Sequence, residues 1–399
     1  MKLKAERQYF LDWLRFILIL VLIFSHVVMI FDPSWGYYIN NQDESEIFHY
    51  WILFVIQFYI PLFFCIAGIS TFFALKFRTP NQYTRERVQR LMIPFIVGTL
   101  VIVPPLVYFQ RVQDSEFKGN YLEFYLHLFN GFYPEGNFGW HHLYFILNLF
   151  LYSLIALPLF LHLNSKKGDK TLSKIGNICE SKGGIFLLAI PLIVIKISLS
   201  GFHPILSNFI EDITAFSPIF SVLDVLEQYP GSHWSDFFLY FVSFLYGYLL
   251  FREQRLWEAI KKNKWISFIL SVILIFLIYL IEWTETTPAA DYSPGYFAYY
   301  SILGLTTWSL VITFLGLTHH FLNFKKESLR YLNEAMYPIY IIHQTIIVIV
   351  GYYVIQWNTG IIEKFSIILI FSTLLILVVY HFVIRKINIL RFLFGMKAK

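Results

Sequence analysis

Charged side chains are what this sequence has least of: they make up 14% of its 399 residues, against 57% hydrophobic and 20% aromatic. A soluble domain of this length needs far more polar surface, so a soluble enzyme or binding module is excluded. Cysteine is almost missing. Cys65 lies in an apolar run and Cys179 in a Lys-rich loop, which excludes a disulfide framework. There is no fixed-period repeat, low-complexity tract or strand-rich stretch, so solenoids, disordered chains and parallel-sheet nucleotide folds are excluded too. The formal charge of +5 sits in short tracts between apolar runs, with no basic domain among them, which argues against a nucleic-acid partner.

What is present is a succession of apolar stretches, and the mean hydropathy is +0.59. Each is long enough to cross about 30 Å of hydrocarbon as a helix. Ten spans are expected, near residues 9–31, 48–75, 91–110, 142–163, 185–200, 234–251, 265–282, 295–317, 331–354 and 365–384. The first is read as a retained span because it carries Arg15, is too long for a signal peptide and lacks a small-residue cleavage site. Connecting segments alternate in charge. One set holds Lys76, Arg78, Arg85, Arg87, Arg90, five lysines between 166 and 182, and Arg252 to Lys264, whereas the other is acidic, with Asp43, Glu44, Glu135, Glu211, Asp212 and Asp291. The basic side is expected to be the cytoplasm, with both termini on it. The expected fold is an all-α integral membrane protein, one transmembrane domain over residues 1–399 with a cytoplasmic tail from about 385, in the inner (cytoplasmic) membrane among its lipids. Three outer segments are long: about 32–47, 111–141 and 201–233, the last amphipathic around FIEDITAFSPIFSVLDVLEQY.

Polar groups inside the spans carry the chemistry. In LDWLRFILILVLIFSHVVMIF, Arg15 and His26 are eleven residues apart, which returns to within roughly 20° of one helical face and separates them by about 16 Å. A permanent cation near the cytoplasm thus shares a face with a titratable imidazole in the outer half. The plainer reading is that Arg15 snorkels to headgroups and His26 bonds a neighbouring helix. Asp12, one turn before Arg15, is placed to orient it. In TRERVQRLMIPF, Arg87 and Arg90 stand three apart at the cytoplasmic mouth of the third span, a clamp for a phosphorylated ligand or ordinary inward positive charge. His142 and His343 could line the same cavity as His26 or be packing histidines. The doublets His141–His142 and His319–His320 point apart on a helix, so no metal is expected. Outer rings such as Trp35, Tyr37, Tyr38, Tyr133 and Trp140 fit a sugar platform or an interfacial belt.

These segments resemble the acyltransferase 3 family of bacterial membrane O-acyltransferases, especially its glucan-modifying, succinyltransferase-like branch. RQYFLDWLRFILILVLIFSH resembles the family's opening helix with its arginine and histidine, and PLFFCIAGIS its second-helix signature, with Ala67 where a serine is usual. TRERVQRLMIPFIVGTLVIVPPLVYF resembles the two-arginine motif, while HHLYFILNLFLYSL and YPIYIIHQTIIVIV resemble later segments, with Tyr144 replacing a typical tryptophan. The resemblance implies transfer of an acetyl or succinyl group from cytoplasmic acyl-CoA, a donor substrate and not a resident cofactor, to a hydroxyl of an extracytoplasmic glycan. It places the family's histidine on His26 and its arginines on Arg15, Arg87 and Arg90. The soluble hydrolase-like domain some members append is not seen, so a second acyl-handling step would need an envelope-biosynthesis partner. Two rivals remain: a transporter or flippase for a glycan or lipid-linked sugar, and a glycosyltransferase using Glu211 and Asp212 with a cation.

Overall fold

The computed structural model describes residues 7–200, 234–288 and 292–397. The amphipathic outer stretch, Glu211, Asp212 and Asp291 lie outside the described residues. Among the described residues there is no strand, only an isolated bridge between Phe132 and Phe138.

Every one of the ten expected spans coincides with a helix. Eight are long and apolar enough to cross a bilayer: α1 (Tyr9–Phe31), α2 (Glu46–Leu75), α3 (Pro80–Gln113), α9 (Trp234–Arg252), α10 (Gln254–Trp283), α11 (Pro294–Leu322), α12 (Ser328–Val354) and α13 (Ile361–Ile384). A ninth is a pair, α5 (His141–Ile155) and α6 (Leu157–Leu163), bent by 47° at the break before Pro158. The tenth, α8 (Gly184–Ser200), is apolar and runs up to Ser200, where the described residues break off. Shorter helices are α4 (Tyr121–Leu126), α7 (Lys166–Glu180) and α14 (Asn388–Leu393). The Lys-rich loop is therefore mostly α7, whose Leu172, Gly176 and Cys179 are buried.

The bundle places α2, α11 and α12 innermost, while α10 and α13 are its most exposed long helices. Their outward side chains, such as Ile269, Phe276, Phe371 and Leu374, are hydrocarbon suited to lipid. Two glycines let α2 and α9 touch backbone to backbone. A Cβ added at Gly68 would lie 2.0 Å from the Phe244 carbonyl, and one at Gly247 1.8 Å from that of Cys65. In a bilayer, where hydrophobicity cannot drive helix pairing, such small-residue contacts supply the packing.

α3 is irregular for a legible reason. Proline lacks the N–H that bonds residue i−4, and Pro94 and Pro104 sit beside two wide π-helical turns, Val88–Met92 and Gly98–Ile102. The carbonyl that Pro104 leaves without its helical donor, Leu100, accepts from the Tyr125 hydroxyl at 3.0 Å, and Thr345 of α12 donates to Ile102 at 2.7 Å.

Both described chain ends meet the same end of the bundle. Arg15 Nη2 donates to Ser70 at 2.6 Å, and the adjacent Thr71 meets the Tyr83 hydroxyl at 3.2 Å, four residues before Arg87. Gly395 packs on the Arg90 main chain.

Candidate active site

At the arginine end, α1 begins with Asp12 buried and bonded twice. It accepts from Arg7 at 2.8 Å and from Arg15 Nη1 at 3.2 Å. With Nη2 on Ser70, the half-buried Arg15 guanidinium is fixed in plane. Ser70 in turn donates to Ile66 at 2.7 Å. Sequence reading missed Ser70, because nothing in PLFFCIAGIS says which helix its hydroxyl faces.

Arg87 approaches the same stretch of α2 from the other side. Its guanidinium lies 4.7 Å from the centre of the Tyr83 ring, and its Nε is buried without a hydrogen-bond partner among the described residues. The Tyr337 hydroxyl, within Coulombic reach of Arg87, is likewise buried and unpartnered. Arg87 ends a regular helical segment while Arg90 lies in the π turn that follows, so the pair does not follow simple α-helical spacing. Both still act on Glu86, which itself pairs with Arg78 at 2.7 Å. Buried polar atoms are nearly always satisfied, so an orphaned guanidinium nitrogen beside an orphaned phenol suits an anionic ligand.

The other end of α1 carries His26, and here three helices bring three histidines together. The His26 and His343 rings are 4.9 Å apart at 86°, and those of His142 and His343 are 5.3 Å apart at 86°. Each ring donates one N–H to a main-chain carbonyl: His26 Nδ1 to Leu22 at 2.9 Å, His142 Nε2 to Ile341 at 2.9 Å and His343 Nδ1 to Tyr340 at 2.6 Å. That fixes the neutral tautomer, leaving a basic lone pair on the second nitrogen of each. His142 Nδ1, His343 Nε2 and Gln344 Oε1 are buried without partners among the described residues. No set of three His, Cys, Asp or Glu among the described residues has the geometry to hold a metal.

The segment that roofs this end is tied down from several sides. Tyr37 stacks edge-on toward His26 at 6.1 Å, and burial raises its phenol pKa. Lys364, buried at the start of α13, donates to Asn41 at 3.0 Å and to the Ile355 carbonyl at 2.9 Å, anchoring the 32–45 loop. Tyr38 bonds His141 Nδ1 at 2.7 Å, and Tyr133 stacks edge-on against the same imidazole at 4.5 Å. Arg111 pairs with Glu116 and the Pro134 carbonyl and donates to the Gly136 carbonyl at 2.8 Å, folding the 111–141 segment over. His141 has φ +43°, a left-handed conformation that costs an L-residue with a Cβ about 1–2 kcal/mol, and these contacts hold it there. It turns away from His142, so the doublet serves two surroundings, as adjacent helical residues do.

Thus Arg15, Arg87 and Asp12 share one end with Arg90, and His26, His142 and His343 share the other. Tyr37, Gln344, Tyr337 and Ser70 join them without having been singled out for these positions. On the outer side of α1, α12 and α13 a groove of about 500 Å³ is lined by Phe16, Ile23, Met336, Ile339 and Leu374 among others. It is hydrocarbon along most of its length, with Tyr331 and His381 at one end.

Residues 8–381 match the sequence model of a family described as an acyltransferase domain. The chain is also similar to Glucans biosynthesis protein C of Escherichia coli (strain K12), at 25% identity over 401 residues, covering 98% of this chain and 95% of that protein. The proteins of the same name from Escherichia coli O6:K15:H31 (strain 536 / UPEC) and O9:H4 (strain HS) match with the same identity and coverage. No solved structure matches.

Proposed function

Since the chain belongs to this acyltransferase family and is a multi-pass membrane acyltransferase, we propose that it moves an acetyl or succinyl group from cytoplasmic acyl-CoA to a glycan hydroxyl outside the inner membrane. The arginine end, with both termini, faces the cytoplasm in this reading, as the charge bias of the loops favours. Arg15, Arg87 and Arg90 receive the phosphates of coenzyme A, and its pantetheine arm runs along the bundle toward His26. Arg15 and His26 share one continuous helix about 16 Å apart. An extended arm of about 15 Å by ordinary bond lengths is comparable.

His26 acts as general base. Its Nδ1–H is committed to Leu22, so Nε2 takes the proton of the glycan hydroxyl as the oxygen attacks the thioester carbonyl. The carbon–sulfur bond then breaks, and the imidazolium returns the proton to the departing thiolate. A transiently acylated His26 is the variant route. His343, His142 and Gln344 shape the cavity, and Tyr37 and the outer rings receive the sugar.

The observation that carries this reading is that α1 joins two ends with buried polar atoms unpartnered among the described residues, Arg87 Nε and the Tyr337 hydroxyl at one and His142 Nδ1 and His343 Nε2 at the other. A transporter needs a pathway but no base of fixed tautomer, and it leaves its donor intact. The purified protein in lipid should therefore release free coenzyme A thiol only when acyl-CoA and an acceptor glycan are both present. No thiol release alongside movement of intact glycan would favour the rival, and thiol release unaffected by acceptor would contradict transfer to a glycan.

A further inference from the structure

At the arginine end the chain's own C-terminal segment closes against the mouth. Arg391 of α14 is 4% exposed, and a buried guanidinium is tolerable only when its donors are satisfied. Here each of the three nitrogens has a partner: Nε donates to the Lys397 carbonyl at 2.9 Å, Nη1 to the Arg385 carbonyl at 3.2 Å and Nη2 to Glu334 Oε1 at 2.7 Å. Glu334 also pairs with Arg385 at 3.5 Å. One carboxylate on α12 thus gathers two arginines from the last stretch of chain, and Arg391 folds residue 397 back on itself, helped by the Met396 N–H bond to the Arg391 carbonyl at 2.8 Å.

The folded-back turn has a specific target. Gly395 has φ +69°, and a Cβ there would meet the Tyr337 ring at 2.6 Å and the Arg90 carbonyl at 2.9 Å. Arg90 belongs to the proposed donor clamp, and Tyr337 carries the orphaned hydroxyl beside Arg87. A glycine at this contact lets the chain end lie flush on both.

We propose that residues 388–397 form one wall of the donor mouth, with Arg391 and Glu334 as positioning residues that hold that wall against Arg90 and Tyr337. This rests on the reading of Arg87 and Arg90 as donor-phosphate ligands. The wall sets the place of the Arg90 backbone and hence the affinity for the donor, without touching the chemistry at His26.

A purely structural role lowers the amount of folded enzyme, and so the maximal rate, but leaves KM unchanged. The test is to measure KM for acyl-CoA and for acceptor separately, in the full-length protein, for Gly395→Ala, Arg391→Ala, Arg391→Lys and Arg90→Ala. Gly395→Ala and Arg391→Ala should raise donor KM about tenfold, with acceptor KM and kcat per folded molecule essentially unchanged and Arg391→Lys lying between wild type and Arg391→Ala. Gly395→Ala leaves the Arg391 bonds in place and serves if Arg391→Ala does not fold. A raised donor KM in Arg90→Ala with wild-type values in Gly395→Ala would overturn the wall while sparing the donor mouth. An unchanged donor KM in Arg90→Ala would overturn both.

Discussion

Replacing His26 by Ala should lower acyl transfer by about 10²–10⁴-fold, the usual contribution of a positioned general base. The loss should fall on kcat, since His26 lies at the opposite end of α1 from the arginines. Folding should survive, because the one hydrogen bond His26 makes among the described residues runs to Leu22 of its own helix. His26→Gln keeps an amide of similar reach without a base, and should be as inactive. Labelled acyl transfer in membranes, normalised to protein content, reads both. Undiminished transfer by either variant would remove His26 from the mechanism. His343 is different in kind: it is fully buried between His26 and His142, so its removal leaves a cavity as well as a lost ring.

The second large effect belongs to the arginine end. Arg87→Ala should weaken acyl-CoA binding by roughly ten- to hundredfold, the loss of a charge-assisted hydrogen bond worth about 1.5–3 kcal/mol. The buried, unpartnered Nε lies on a guanidinium packed beside the Tyr83 ring, and a lysine ammonium has no planar fork to replace that nitrogen. Arg87→Lys should therefore restore little. Equilibrium binding of a non-transferable acyl-CoA analogue to the purified protein measures this without reference to turnover. Wild-type affinity in Arg87→Ala would mean that the orphaned nitrogen serves no donor.

Much of this architecture was readable from residue order. The spans followed from apolar run length, and the α1 face from a separation of eleven residues, because both depend only on local helix geometry. The two π turns of α3 were not readable, since they arise where neighbours supply partners such as Tyr125 and Thr345. Asp12 was legible as a partner of Arg15 because it sits one turn away. Ser70, Tyr337 and the Arg391–Glu334 latch were not, since each pairs residues far apart in sequence. The meeting of His26, His142 and His343 was entertained only as shared lining, for the same reason.

The central claim is that one bundle takes its donor at the arginine end and serves its acceptor at the histidine end. Proteoliposomes with the protein in one known orientation, given acyl-CoA on one side and glycan on the other, test it most directly. Transfer should occur only when acyl-CoA faces the Arg87–Arg90 end and glycan faces the His26 end, with free thiol appearing on the donor's side. Transfer with both substrates confined to one side, or with the two sides exchanged, would contradict the account.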